Sequence, residues 1–124
     1  MDSQLTQPKV LVSRLIIAVI AIGAIVAVIF LGLYISRVYD PYVQEVLSLK
    51  GDLARGYEIF QINCAGCHGQ QADGSVGPSL HHVPKRKSKV RLIEQVISGD
   101  TPPMPKFQPS PQEMADLLNY LERL

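Results

Sequence analysis

The sequence predicts an all-α fold preceded by a single N-terminal transmembrane helix. Three observations predict it. Apolar residues recur at helical spacing in three segments after residue 52, no long apolar–polar alternation calls for a sheet, and residues 15–35 carry no charge. At 124 residues there is room for one small domain beside a separate hydrophobic segment. A formal net charge of +1 excludes the strongly basic footprint of a nucleic-acid binder. The globular part, about 75 residues, is near the size at which cores need help.

Residues 1–14 form a short polar tail in which Lys9 and Arg14 outweigh Asp2. Residues 15–35, LIIAVIAIGAIVAVIFLGLYI, then run uninterrupted. As a helix this stretch is about 31 Å long, enough to cross a bilayer core. Tyr34 and Tyr39 lie where an interfacial aromatic belt would sit. A cleaved signal peptide would have a shorter apolar region and a small-x-small site, which FLGLYISRVYD does not offer. The excess of Lys9 and Arg14 before the span places the N-terminus in the cytoplasm and the rest across the membrane. Residues 36–51 read as a linker. Asp40-Pro41 disfavours a continuous helix, while Val43, Val46 and Leu47 permit a short amphipathic turn on the membrane or on the domain. Sixteen extended residues reach at most roughly 55 Å, which confines the domain to the membrane surface while permitting some reorientation.

The domain spans residues 52–124. Asp52 is an N-cap for a helix through about Asn63, with Leu53, Tyr57 and Phe60 on one apolar face. Gly56 weakens that helix, so it implies a reason such as close approach of another helix. Directly after it stands Cys64-Ala65-Gly66-Cys67-His68, which contains the chain's two cysteines. Cys-x-x-Cys-His is the spacing of covalent haem c attachment. Two thiols a helical turn apart add to the two vinyl groups of one haem, and the next histidine is a proximal iron ligand. A zinc site would want about four Cys or His ligands, and a redox dithiol a βαβ setting. Neither surrounds this motif.

Residues 69–84, with Gly69, Gly74, Gly77, Pro78 and Pro84, read as loop. His68 needs an acceptor for its free ring N–H, and a carbonyl of Gly77-Pro78 is the candidate. His81 and His82 are axial-ligand alternatives, better read as surface or haem-edge residues. Lys85, Arg86, Lys87, Lys89 and Arg91 put five positive charges in seven residues. They suit haem propionates, an acidic partner or anionic lipid; a solvated helix entrance is the plain alternative. Ser88 caps a helix with Leu92, Ile93, Val96 and Ile97 on one face, ended by Gly99.

In Thr101-Pro102-Pro103-Met104-Pro105, three prolines fix a loop that presents one thioether. Met104 is thus the candidate sixth ligand, and His/Met ligation favours reduced iron. Ser110-Pro111-Gln112-Glu113 is a capping box with proline at N1. Met114, Leu117, Leu118 and Leu121 make the buried face of a last helix, with Tyr120 beside it.

This order of elements over residues 52–124 resembles the class I cytochrome c fold. The resemblance implies that the Pro78 carbonyl accepts from His68 Nδ1 and that Met104 is the distal ligand. It also implies that Gly56 and Phe60 meet Leu117 and Tyr120 where the terminal helices cross. More narrowly, the tail, the span and the stretches DPYVQEVLSLKGD, INCAGCHGQQADGSVGPSL and TPPMPKFQPSPQ resemble the cytochrome c M family, membrane-anchored cytochromes of cyanobacteria. That resemblance implies a haem domain on the lumenal or periplasmic side of a thylakoid or plasma membrane, serving respiratory, photosynthetic or regulatory electron flow. The absence of tryptophan departs from mitochondrial-type cytochromes.

The expectation is therefore an electron carrier, not an enzyme, holding one haem c and exchanging single electrons with redox partner proteins such as a terminal oxidase. A small-ligand sensor, a peroxidase-like enzyme and a fixed subunit of a larger membrane complex are the alternatives.

Overall fold

A computed structural model of the chain describes residues 8–124. Among these residues seven helices follow in order: α1 Pro8–Val38, α2 Pro41–Ser48, α3 Leu53–Asn63, α4 Ala65–His68, α5 Val83–Arg86, α6 Lys89–Ser98 and α7 Pro111–Leu121. No strand occurs among the described residues. The chain divides between Ser36 and Arg37 into two compact units.

Arg37 and Val38 fall in the second unit, and the first holds α1 as far as Ser36. Its helical run extends past the charge-free stretch at both ends, starting at Pro8, so much of the expected polar tail is helical; residues 1–7 lie outside the described residues. No side chain of α1 is buried, and the helix is long and apolar enough to cross a membrane. Its serines need no outside partner: Ser13 Oγ donates to the Val10 carbonyl at 3.0 Å and Ser36 Oγ to the Leu33 carbonyl at 2.9 Å.

In the second unit α3 lies across α7. Asp52 caps α3 by accepting from Arg55 N at 2.8 Å. The Ser110–Glu113 capping box opens α7, with Pro111 at the first helical position. Phe60, Met114 and Leu117 are fully buried at and around the crossing. Gly56 makes that closeness feasible, because a Cβ there would stand 2.0 Å from the Asp116 carbonyl oxygen and 3.0 Å from Tyr120 Cβ. Tyr120 packs on Phe60 at 5.1 Å and on Tyr57 at 5.6 Å between ring centroids. The periodicity of α3 is only partly realised. Phe60 is buried, but Leu53 and Tyr57 stay 41% and 49% exposed, because Gly56 rather than Tyr57 faces the partner backbone.

Within residues 36–51, read above as a linker, residues 41–48 form α2, and the amphipathic turn lies on the domain. Asp40 does more than break a helix: its carboxylate caps α2, accepting from Tyr42 N at 2.9 Å and Val43 N at 3.3 Å. Val43 and Val46, three apart, then bury against α7 and α6, each 1% exposed. Tyr42 Oη donates to the Pro109 carbonyl at 3.0 Å and fastens α2 to the approach to α7.

Asp116 is a fully buried carboxylate that periodicity does not flag. Its Oδ1 accepts from the Asp52 backbone N–H at 2.7 Å and from Gln112 Nε2 at 2.8 Å, while Oδ2 lies 3.6 Å from Arg55 Nε. It thereby locks the start of α3 to the middle of α7.

Two outcomes follow from this packing. Gly56→Ala forces α3 and α7 apart and should cost about 1–3 kcal/mol in denaturant unfolding, the usual price of overpacking. Burial, then the nearby Glu113 charge, raises the Tyr42 pKa above 10.0. A raised folded-state pKa gives stability that is complete below the unfolded value and lost as pH climbs through the folded one. Tyr42→Phe should therefore flatten the fall in stability above pH 10.0, read by thermal unfolding against pH.

Candidate functional site

Cys64 ends α3 and begins α4, so the motif forms one tight turn of its own. Cys67 N and His68 N donate to the Cys64 carbonyl at 3.1 and 3.0 Å, and Gly69 N donates to the Ala65 carbonyl at 2.9 Å. This turn sets the two thiols on successive levels of one helix face. Ala65 is buried beneath them, Cys64 is half-buried and Cys67 exposed.

The loop after the motif folds back onto it. Gly74 N donates to the His68 carbonyl at 2.7 Å and Gly77 N to the Cys67 carbonyl at 2.8 Å. His68 Nδ1 then lies 2.8 Å from the Pro78 carbonyl oxygen. A carbonyl only accepts, so Nδ1 carries the proton and Nε2 presents its lone pair. Gly77 packs flat against this ring: a Cβ there would come within 2.7 Å of Cε1 and 2.8 Å of Nδ1. Orientation and tautomer of the imidazole are both fixed by the loop.

Electrostatics separate the Cys64 thiol from a redox dithiol. Burial, followed by the neighbouring Cys67 charge, pushes its pKa up to about 11. Disulfide-exchanging cysteines need a lowered pKa and a ready thiolate. Among the described residues no group of three or more His, Cys, Asp and Glu side chains is arranged to hold a metal ion. The donor set is instead two thiols and an imidazole, with partly buried Leu80, Ile97, Met104 and Phe107 against the same core as Cys64. A flat apolar macrocycle carrying iron suits these groups: thiols for its vinyl edges, imidazole for its metal and apolar side chains for its faces.

Met104 sits in the proline loop, its N–H donating to the Thr101 carbonyl at 3.0 Å. Phe107 N donates to the Val96 carbonyl at 2.9 Å, which ties the far end of that loop to α6. His81 and His82 are both exposed, and His82 has a left-handed backbone, φ 58°, at the cap of α5. Helix α5 itself falls where the sequence reads as loop and basic run.

The basic run is not uniform. Arg86 Nη2 donates to the carbonyls of Ser79 at 3.0 Å and His81 at 3.2 Å, bracing the loop beyond Pro78. Lys89 pairs with Glu122 at 2.9 Å, and Lys87 Nζ reaches Gln95 Oε1 at 3.5 Å. Lys85 and Arg91 are exposed, without a side-chain hydrogen bond or ion pair among the described residues. Ser88 caps α6 through Arg91 N at 3.4 Å.

Comparison with known proteins agrees with the chemistry of the site. Residues 51–121 match the family model described as cytochrome C oxidase, cbb3-type, subunit III. The chain is 65% identical over 86 residues to a cytochrome c-553-like protein of Synechocystis sp., covering 69% of this chain and 82% of that one. It is 28% identical over 115 residues to cytochrome c-550 of Bacillus subtilis, covering 92% of this chain and 95% of the relative. Among solved structures it is similar to cytochrome cL from Hyphomicrobium denitrificans, with a TM-score of 0.52 and 31% identity over 66% of this chain. The chain spans 50% of the length of that cytochrome. The attachment turn, its apolar surroundings and these relatives converge: the chain belongs to the cytochrome c family and carries covalent haem c, with Cys64 and Cys67 in the Cys-x-x-Cys-His motif.

Proposed function

We propose that the chain is a membrane-anchored, one-haem electron carrier with His68 and Met104 as its axial iron ligands. The observation that carries this reading is the imidazole held between Pro78 and Gly77 with Nε2 left free. The haem iron supplies one-electron chemistry by cycling between its ferric and ferrous states. Cys64 and Cys67 hold the group through thioether links, and the Pro78 carbonyl keeps His68 in one tautomer and orientation. Met104 brings a soft thioether from a loop stiffened by Pro102, Pro103 and Pro105. With His68 and Met104 both supplied to the iron, the protein would leave no open position for oxygen or peroxide. That separates an electron carrier from a sensor or a peroxidase-like enzyme.

Helix α1 is the anchor in this reading. An all-round apolar helix with no buried side chain and back-bonded serines suits lipid on every side. Lys9 and Arg14 keep the N-terminus cytoplasmic and place the haem domain on the lumenal or periplasmic side. Similarity to the Synechocystis protein supports placement with the cyanobacterial cytochrome c M proteins, in a thylakoid or plasma membrane. Redox partner proteins, a terminal oxidase among them, would dock on Lys85 and Arg91, the two cations of the basic run without partners in the domain. Membrane lipid is the other partner, through α1. The description of the matching family model favours a second reading, a fixed haem subunit of an oxidase-like complex.

Met104→Ala should open the site, so that the reduced variant binds carbon monoxide at neutral pH while the parent does not. An unchanged absorption spectrum in the variant would remove Met104 as a ligand. For a docking carrier, electron transfer to the partner slows as salt screens Lys85 and Arg91. Neutralising both with glutamine should give a slower rate that responds less to salt. A salt-indifferent rate, with the chain comigrating stably with an oxidase on native gels, would instead support the fixed subunit.

A further inference from the structure

Gln95 lies on α6, partly buried, and its side-chain amide meets three groups. Nε2 donates to Thr101 Oγ1 and, at 3.8 Å, to Met104 Sδ. Oε1 lies 3.5 Å from Lys87 Nζ. An amide's two ends are interchangeable in shape, so its orientation must come from its partners. An ammonium has three donors and no acceptor. Lys87 therefore requires the oxygen on its side, which turns both N–H groups toward the proline loop. Thr101 and Met104 use one each.

We propose that Gln95 is a positioning residue for Met104: its amide N–H, oriented by Lys87, holds the thioether and withdraws electron density from the sulfur. The proposal rests on Met104 as an axial ligand. A thioether sulfur has two lone pairs, one for iron and one free to accept a hydrogen bond. Accepting the N–H weakens the sulfur as a donor, which disfavours ferric iron more than ferrous and raises the reduction potential. Gln95 also joins the thioether to a cation of the basic run, so the charge environment at Lys87 reaches the iron through one side chain. Lys87 accordingly has an internal role, unlike Lys85 two residues earlier.

The test is a redox titration of the full-length, haem-loaded protein with its ferric spectrum recorded alongside. Gln95→Leu removes the donor and should lower the midpoint potential while keeping the weak red-edge absorption of a thioether-ligated ferric haem. Gln95→Glu keeps an oxygen toward Lys87 but puts an acceptor beside the sulfur, so its potential should fall further; it carries the test if the leucine variant does not fold. Lys87→Met should lower the potential more than Lys85→Met, its matched loss of one charge. An unchanged potential in the Gln95 variants, or equal shifts in the two lysine variants, overturns the proposal. Absence of the red-edge absorption from the parent protein would instead overturn Met104 ligation, before any variant of Gln95 is made.

Discussion

Helix α3 presents the haem-attachment turn from one fixed position because it lies directly on the backbone of α7 at Gly56. Any larger residue there would separate the helices and shift Cys64 with them. The crossing is secured at both ends of the contact. Phe60 and Tyr120 stack on the side toward the motif, while buried Asp116 holds the first residues of α3 from the other. A carboxylate left in water would gain nothing from this. Inside the fold its Oδ1 accepts from the Asp52 backbone N–H and from the Gln112 side-chain amide, so the buried carboxylate is tied to both helices. The small domain thus spends polar side chains on a joint that its short apolar core is too small to hold alone.

From that joint outward, orientation passes through backbone hydrogen bonds more than through side chains. The loop over residues 69–78 returns to the carbonyls of Cys67 and His68, and Pro78 then fixes the ring nitrogen. Glycine at position 77 serves here through its missing Cβ, since the imidazole fills that space. The raised pKa of Cys64 belongs to the same geometry: a thiol packed against apolar neighbours resists ionisation and is poorly suited to reversible exchange. The proline loop is tied to α6 through Phe107 and Gln95. The attachment turn and the loop that carries Met104 are therefore held to different helices of one core.

Motif spacing and helical periodicity made much of this legible. Cys64, Cys67 and His68 are adjacent in sequence, so their meaning needs no tertiary information. Ser110-Pro111-Gln112-Glu113 and Asp52 announce helix starts through local hydrogen bonds, and both appear at those residues. What escaped depends on contacts between distant segments. Val43 and Val46 look like a modest amphipathic turn until α7 is present to cover them. Leu53 and Tyr57 fit an apolar stripe, yet a stripe does not tell which of two neighbouring faces a glycine will bring against the partner helix. Asp116 and Gln95 are ordinary polar residues in helical segments, and only their long-range partners give them roles. Arg86 and Lys89 read as free charge from composition, whereas nearby carbonyls and Glu122 engage them.

The family and its covalent haem define the chemistry, and the axial pair decides its character. Near-infrared magnetic circular dichroism of the oxidised, full-length protein measures that pair directly, because the energy of the charge-transfer band depends on the ligands. Ligation by His68 and Met104 would give the band of a low-spin ferric haem held by imidazole and thioether. A bis-imidazole band, drawing His81 or His82 to the iron, or the signature of a high-spin open site, would contradict it.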